Sequence, residues 1–148
     1  MNIVEYIFPP FFIGLFVFVI YLLSRKGWSD LVNMYQFDSD FQGHRFGVIS
    51  AGINGVNYNN CLILKYNEQG FYLRPAFIFR LFHKPVFIPW EEIKVIRDKQ
   101  ILFIKLKELI IGDPAVAIMQ MKHSTFLKIE QETYLKNFLN RNNVRSNF

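Results

Sequence analysis

The hydrophobic pattern changes character three times along the chain. Residues 7–23, IFPPFFIGLFVFVIYLL, contain no charged side chain, and extension back to residue 3 gives 21 residues interrupted only by Glu5. At about 1.5 Å per helical residue this run is roughly 26 to 31 Å long, against a hydrocarbon core of about 30 Å. It predicts one transmembrane helix, with Pro9 and Pro10 in the first turn, where missing amide donors do least harm. No polar stripe can be drawn through residues 11–23, which argues against a buried soluble helix. A cleaved signal peptide would need early positive charge and small residues at the exit, and the chain has neither.

A different period follows. Trp28, Leu31, Val32 and Tyr35 recur at i, i+3, i+4 and i+7 with Ser29, Asp30 and Asn33 on other faces, the signature of a two-turn amphipathic helix. Three placements remain open for it: along a membrane surface, as a continuation of the preceding helix, or against the following domain. Residues 36–43 have turn formers and no stripe, and read as a linker.

From residue 44 onward the period shortens to that of strands. Segments 45–51 (RFGVISA), 61–66 (CLILKY), 71–74 (FYLR), 76–82 (AFIFRLF), 86–88 (VFI), 93–97 (IKVIR), 101–107 (ILFIKLK) and 116–121 (VAIMQM) are short and apolar or alternating. Asn67-Glu68-Gln69-Gly70 between the second and third is a hairpin signal. The helical period returns at Phe126, Leu127, Ile129, Tyr134, Leu135, Phe138 and Leu139, predicting one amphipathic helix capped by Ser124 or Thr125 and ending near Asn142-Asn143.

About seven antiparallel strands closed by a carboxyl-terminal helix predict a mainly β, α+β domain: a partly open barrel of the pleckstrin-homology-like kind, whose helix covers an open end. Up-and-down barrels and other α+β folds remain alternatives. The expected organisation is an anchor over 1–26, a neck and linker over 27–43, and the barrel domain over 44–148.

Composition sharpens this. The chain has 148 residues, 51% of them hydrophobic, which leaves room for one domain and makes a two-domain catalytic fold cramped. One cysteine, Cys61, excludes an internal disulfide framework and a multi-cysteine metal site. All 17 Lys and Arg lie beyond residue 23, with 11 of the 12 acidic residues. Arg25 and Lys26 directly follow the apolar run, so the charge bias predicts an outward amino terminus and a cytoplasmic domain at the inner membrane. Tyr6, Tyr21, Arg25, Lys26 and Trp28 are the expected interface anchors.

The chemistry that remains is sparse. His44, His83 and His123 have no metal-ligand spacing, and Cys61 sits in an apolar strand, where a thiol is ordinarily inert. Gly43, Gly47, Gly52 and Gly55 lack a phosphate-loop pattern and suit turns and bulges. Glu91 and Glu92 are adjacent and would point to opposite faces of a strand; a turn at Pro89-Trp90-Glu91-Glu92, with Trp90 on the core, is the favoured reading. Arg74, Arg80, His83 and Lys84 are the candidate anion-facing patch, each well-placed cation being worth about 1 kcal/mol beside an anionic leaflet. No recurrent pairing of cations and aromatics suggests nucleic acid.

The motifs also carry a resemblance. Gly27-Trp28-Ser29-Asp30-Leu31-Val32, Asn60-Cys61-Leu62, the Gly-Phe-Tyr-Leu strand starting at Gly70, and His83 followed by Ile-Pro-Trp-Glu-Glu-Ile from Ile88 make the chain similar to small, largely uncharacterised bacterial single-pass membrane proteins. The Pro-Trp-x-x-Ile element resembles bacterial pleckstrin-homology and GRAM-like domains. The resemblance implies the barrel fold and brings no catalytic residue or cofactor. The function expected is a membrane-anchored, non-enzymatic binding module without cofactors, contacting the bilayer with its anionic headgroups or a membrane protein partner. An accessory structural subunit of a larger membrane complex is the alternative, and an enzyme assembled only by the fold is a third.

Overall fold

A computed structural model describes residues 3–76 and 83–142, the side chains of residues 4, 7, 8, 23, 24, 26 and 142 excepted. Most of the strand expected over 76–82 therefore lies outside the described residues.

Helix α1 spans Ile3–Leu23 and holds Pro9 and Pro10 inside it, not in its first turn. Among the described residues no helix is long and apolar enough to cross a membrane. The expected transmembrane helix, and with it the reading of a single-pass membrane protein, is thereby corrected. The reason lies in what interrupts the run. Each internal proline removes an amide donor from the helical ladder, and Glu5 precedes them.

The chain then passes through a π-helical turn, Ser24–Trp28, into α2, Ser29–Tyr35. Trp28 and Leu31 are completely buried and belong to the hydrophobic core of the barrel domain, with Val32 and Tyr35 packed against it. Of the three placements open to the neck, the structure combines two: it continues the preceding helix through the π turn and packs against the domain. Trp28, expected at a membrane interface, lies inside that core. Gly27 makes this docking close: a Cβ there would stand 2.9 Å from the Ile53 carbonyl oxygen and from Val56 Cβ. Residues 36–43 are a strap more than a free linker. The Phe37 amide donates to the Pro85 carbonyl at 3.0 Å, and the Phe37 and Phe41 rings gather with Tyr72 and Phe87 at centroid distances of 5.1 to 6.1 Å.

Among the described residues seven strands form one antiparallel sheet: β1 His44–Ile53, β2 Val56–Tyr66, β3 Gly70–Pro75, β4 Val86–Pro89, β5 Ile93–Ile101, β6 Ile104–Ile111 and β7 Ala117–Lys122, in the order β4-β3-β2-β1-β7-β6-β5. Two meanders, β1 to β4 and β5 to β7, meet at the short seam where Gly52 and Ile53 face Gln120 and Met119. The sheet edges β4 and β5 leave the same corner, the 3-10 turn Trp90–Glu92. The sheet therefore curls into a half-barrel. Its inner positions, among them Ile53, Leu62, Leu64, Leu73, Ile88, Ile93 and Ile111, are fully buried, each apolar side chain contributing about 1.5–3 kcal/mol.

Turns account for the register. Asn54 and Gly55, both at positive φ, connect β1 to β2, and Asn67 Oδ1 accepts the Gln69 and Gly70 amides between β2 and β3. Gly47, at φ +137°, sits in a bulge of β1. Trp90 turns at the corner as expected. It lies against Phe71 and donates its indole N–H to the Asn67 carbonyl at 3.0 Å.

The carboxyl-terminal helix is two helices, α3 His123–Glu132 and α4 Leu135–Asn142. Thr133 adopts an extended backbone between them, its hydroxyl donating to the Ile129 carbonyl and accepting the Leu135 amide. That local hydroxyl pairing competes with the helical ladder, and the break lets both segments point side chains inward. Phe126, Ile129, Leu135 and Leu139 all enter the core.

Candidate interaction surfaces

The interior of the half-barrel is filled. Leu64, Phe71, Trp90, Leu109, Met121 and Phe126 are among the side chains around a void of only about 20 Å³, room for about one water and lined by nothing polar enough to hold one.

Its polar groups are occupied with one another. The Tyr58 hydroxyl and His83 Nε2 lie 3.1 Å apart, both residues being 2% exposed. Trp28 stands edge-on to Tyr58 at 5.7 Å and tilted to His83 at 5.7 Å, and its indole N–H donates to the Lys84 carbonyl at 2.7 Å. Burial, reinforced by the nearby Cys61 thiol, pushes the Tyr58 phenol well above its ordinary range. Cys61 is buried in β2, and the same desolvation raises its own pKa, opposite to what an activated thiolate needs. Tyr35 donates to Glu92 Oε2 at 3.0 Å; burial first, then that carboxylate, pushes its phenol up to about 12. Among the described residues, no three His, Cys, Asp or Glu side chains gather where a metal ion could be held.

The four residues expected to face an anion have different fates. Lys84 is exposed, next in the chain to the buried His83, whose ring turns inward to Tyr58. Arg74, half-buried on β3, has a buried Nε that meets no hydrogen-bond partner among the described residues. Arg80 lies outside the described residues. Of the expected interface anchors, Tyr6 and Tyr21 are exposed on α1, and the Arg25 guanidinium lies 5.9 Å from the Tyr21 ring centroid. The Lys26 side chain is not among those described.

A surface not anticipated from sequence stands at the far end of the β5–β6 hairpin. Residues 101–107 are not one strand. Ile101 pairs with Ile104, and Leu102 and Phe103 form the turn, leaving these two side chains 84% and 98% exposed. Leu102 takes φ +54°, a left-handed conformation that is unusual for a residue other than Gly, Asn or Asp. Exposed Lys99 and Lys105 flank the tip. Strand alternation puts Lys99 with Ile101 and Ile104 on the outer face and Lys105 on the inner face, continuing the sides set by Ile96 and Leu109. Lower down, Lys99 is 3.8 Å from Glu108, Lys107 pairs with Asp98, and Lys107 Nζ lies 5.3 Å from the Phe126 ring centroid. The signal for this tip was present: an apolar run between lysines, with no turn former to mark the reversal.

No family profile matches the chain, and no curated protein and no solved structure is similar to it.

Proposed function

We propose that the chain is a non-enzymatic binding module that works by surface contact with an anionic lipid surface. The packed interior carries this reading. Inside the half-barrel a void of about 20 Å³ has no room for a substrate, the larger clefts of about 370 and 500 Å³ lie at the surface beside Asp98 and His123 and beside Glu68 and Arg141, and Tyr58, His83, Trp28 and Cys61 are committed to the core. The chain carries a formal net charge of +5, and Lys84, Lys94, Arg97, Lys99, Lys105 and Lys122 are exposed, interspersed with exposed acids such as Glu91, Asp98 and Asp113. Such a surface is attracted to anionic headgroups, at about 1 kcal/mol for each cation brought near them.

The test is flotation of the full chain with phosphatidylcholine vesicles, with and without phosphatidylglycerol, at low and high salt. Greater binding to the anionic vesicles, lost at high salt, is expected. Equal binding to both vesicle types overturns the reading, because the uncharged side chains of α1 do not distinguish them. No binding overturns it too.

A second reading is favoured by α1, whose Phe11, Phe12, Phe16 and Phe18 are exposed. In it the chain is an accessory subunit and α1 packs on a partner protein. A full chain that remains monomeric in buffer without detergent argues against that reading.

A further inference from the structure

We infer that the tip of the β5–β6 hairpin, Ile101-Leu102-Phe103-Ile104, inserts between the headgroups of an anionic lipid surface, with Lys99 and Lys105 as its electrostatic collar. This rests on the reading of a lipid-binding module and names the element that makes contact.

Four observations converge on the tip. Four consecutive large apolar side chains are exposed, Phe103 almost completely, whereas a soluble hairpin turn would bear Asn, Asp or Gly. The tip stands clear of the core: from Leu109, which is buried, Phe103 is six residues further along the hairpin, roughly 20 Å at about 3.3 Å per residue. Its surroundings are cationic, with Arg97, Lys99, Lys105, Lys107 and Lys122 against Asp98 and Glu108, which are already engaged by Lys107, Lys99 and Gln120. Lysines stand on both faces of the ribbon, so the hairpin can enter end-on with cations at the headgroup level all around it. An apolar point inside a basic ring matches an anionic bilayer, whose charge lies outside its hydrocarbon.

The conformation of Leu102 supports the same conclusion. At φ +54° a leucine is less comfortable than asparagine or glycine. A large hydrophobe therefore occupies a position where the backbone alone favours a small polar residue, and its side chain packs on almost nothing within the chain.

Register also separates this tip from the π-helical turn at Gly27. Gly27 packs beside the β1–β2 turn at Ile53 and Val56. Ile53 faces Met119, which faces Leu109, so that turn and the hairpin tip lie on opposite sides of this row. A probe at residue 103 therefore lies at the end of the sheet away from Gly27.

The experiment uses the full chain bearing Phe103→Trp. Trp28 and Trp90 are both buried and supply a steady background, measured in the unsubstituted chain. Mixed phosphatidylglycerol and phosphatidylcholine vesicles are expected to shift the added tryptophan emission to the blue and to quench it when the lipid carries brominated acyl chains. Phe103→Ser is expected to weaken binding to these vesicles about tenfold or more, and Lys99→Glu with Lys105→Glu by at least as much. Leu102→Asn should weaken binding while the melting temperature stays equal or rises, which separates loss of contact from loss of fold. If the vesicles bind the chain and the residue 103 emission does not move, the tip assignment is overturned and the lipid-binding reading stands. If no vesicle binds the chain, both are overturned.

Discussion

Trp28 ties the neck to the domain in two independent ways: its ring is fully buried between Tyr58 and His83, and its indole N–H satisfies the Lys84 carbonyl. Trp28→Ala removes both and leaves a cavity, so we expect a loss of about 3–5 kcal/mol in chemical denaturation. Trp28→Phe keeps much of the ring packing and loses the donor, for about 1–3 kcal/mol. Equal losses in the two variants would show that the hydrogen bond, not the ring, dominates. Tyr35 carries a different signature. Its folded pKa, pushed up to about 12 from an ordinary 10.0, means the folded state holds the phenolic proton more tightly than the unfolded state. The stabilisation is complete below pH 10 and is lost as the pH rises from there through about 12. Tyr35→Phe should therefore lose less stability than the unsubstituted chain over that window. A denaturation series that falls in parallel for the two proteins would refute the raised Tyr35 pKa, to which burial contributes first and the Glu92 carboxylate second.

Elements were legible where periodicity and turn chemistry agreed. The run from Cys61 to Tyr66, then Asn67 to Gly70, then Phe71 onward displays alternation and an Asx-type turn in the residues themselves, and it folds that way. The Trp90 corner was readable for the same reason, since proline before a bulky aromatic suits a turn at a strand edge. Where an element depends on what it packs against, the pattern ran out. Residues 126–139 keep one helical stripe, yet the Thr133 hydroxyl bonds the backbone locally and divides them into α3 and α4. Leu102 and Phe103 reverse the chain without any turn former, so a single strand was expected there. The amphipathic stripe of α2 gave its apolar face but not the surface that covers it. The Asn54-Gly55 pair is a strong turn signal, and it reverses the chain between β1 and β2. Because Gly55 holds φ +84°, Gly55→Ala should cost about 1 kcal/mol, read from the denaturation midpoint. A variant as stable as the original would mean the β1–β2 turn can relax out of its left-handed conformation.

At the scale of the whole molecule, the boundary of the folding unit lies ahead of where composition placed it. Strands begin at His44, but the core already includes Trp28 and Leu31, and Ile20 near the end of α1 is 1% exposed. The strap at residues 36–43 closes over Tyr72 and Phe87, so neck and barrel share one hydrophobic interior. A chain shortened to begin at Gln36 loses two fully buried side chains, worth about 3–5 kcal/mol for Trp28 and about 2–5 kcal/mol for Leu31. Together these are comparable to the roughly 5–15 kcal/mol that stabilises a whole domain. Such a chain should show little near-ultraviolet circular dichroism and no cooperative melt. A chain beginning at Val19 keeps Ile20, Trp28 and Leu31 and should melt in one transition near that of the full chain. If the shorter chain instead melts cooperatively at the same temperature, the neck is a separable attachment. Its buried aromatics would then be a docking contact made after the barrel has folded.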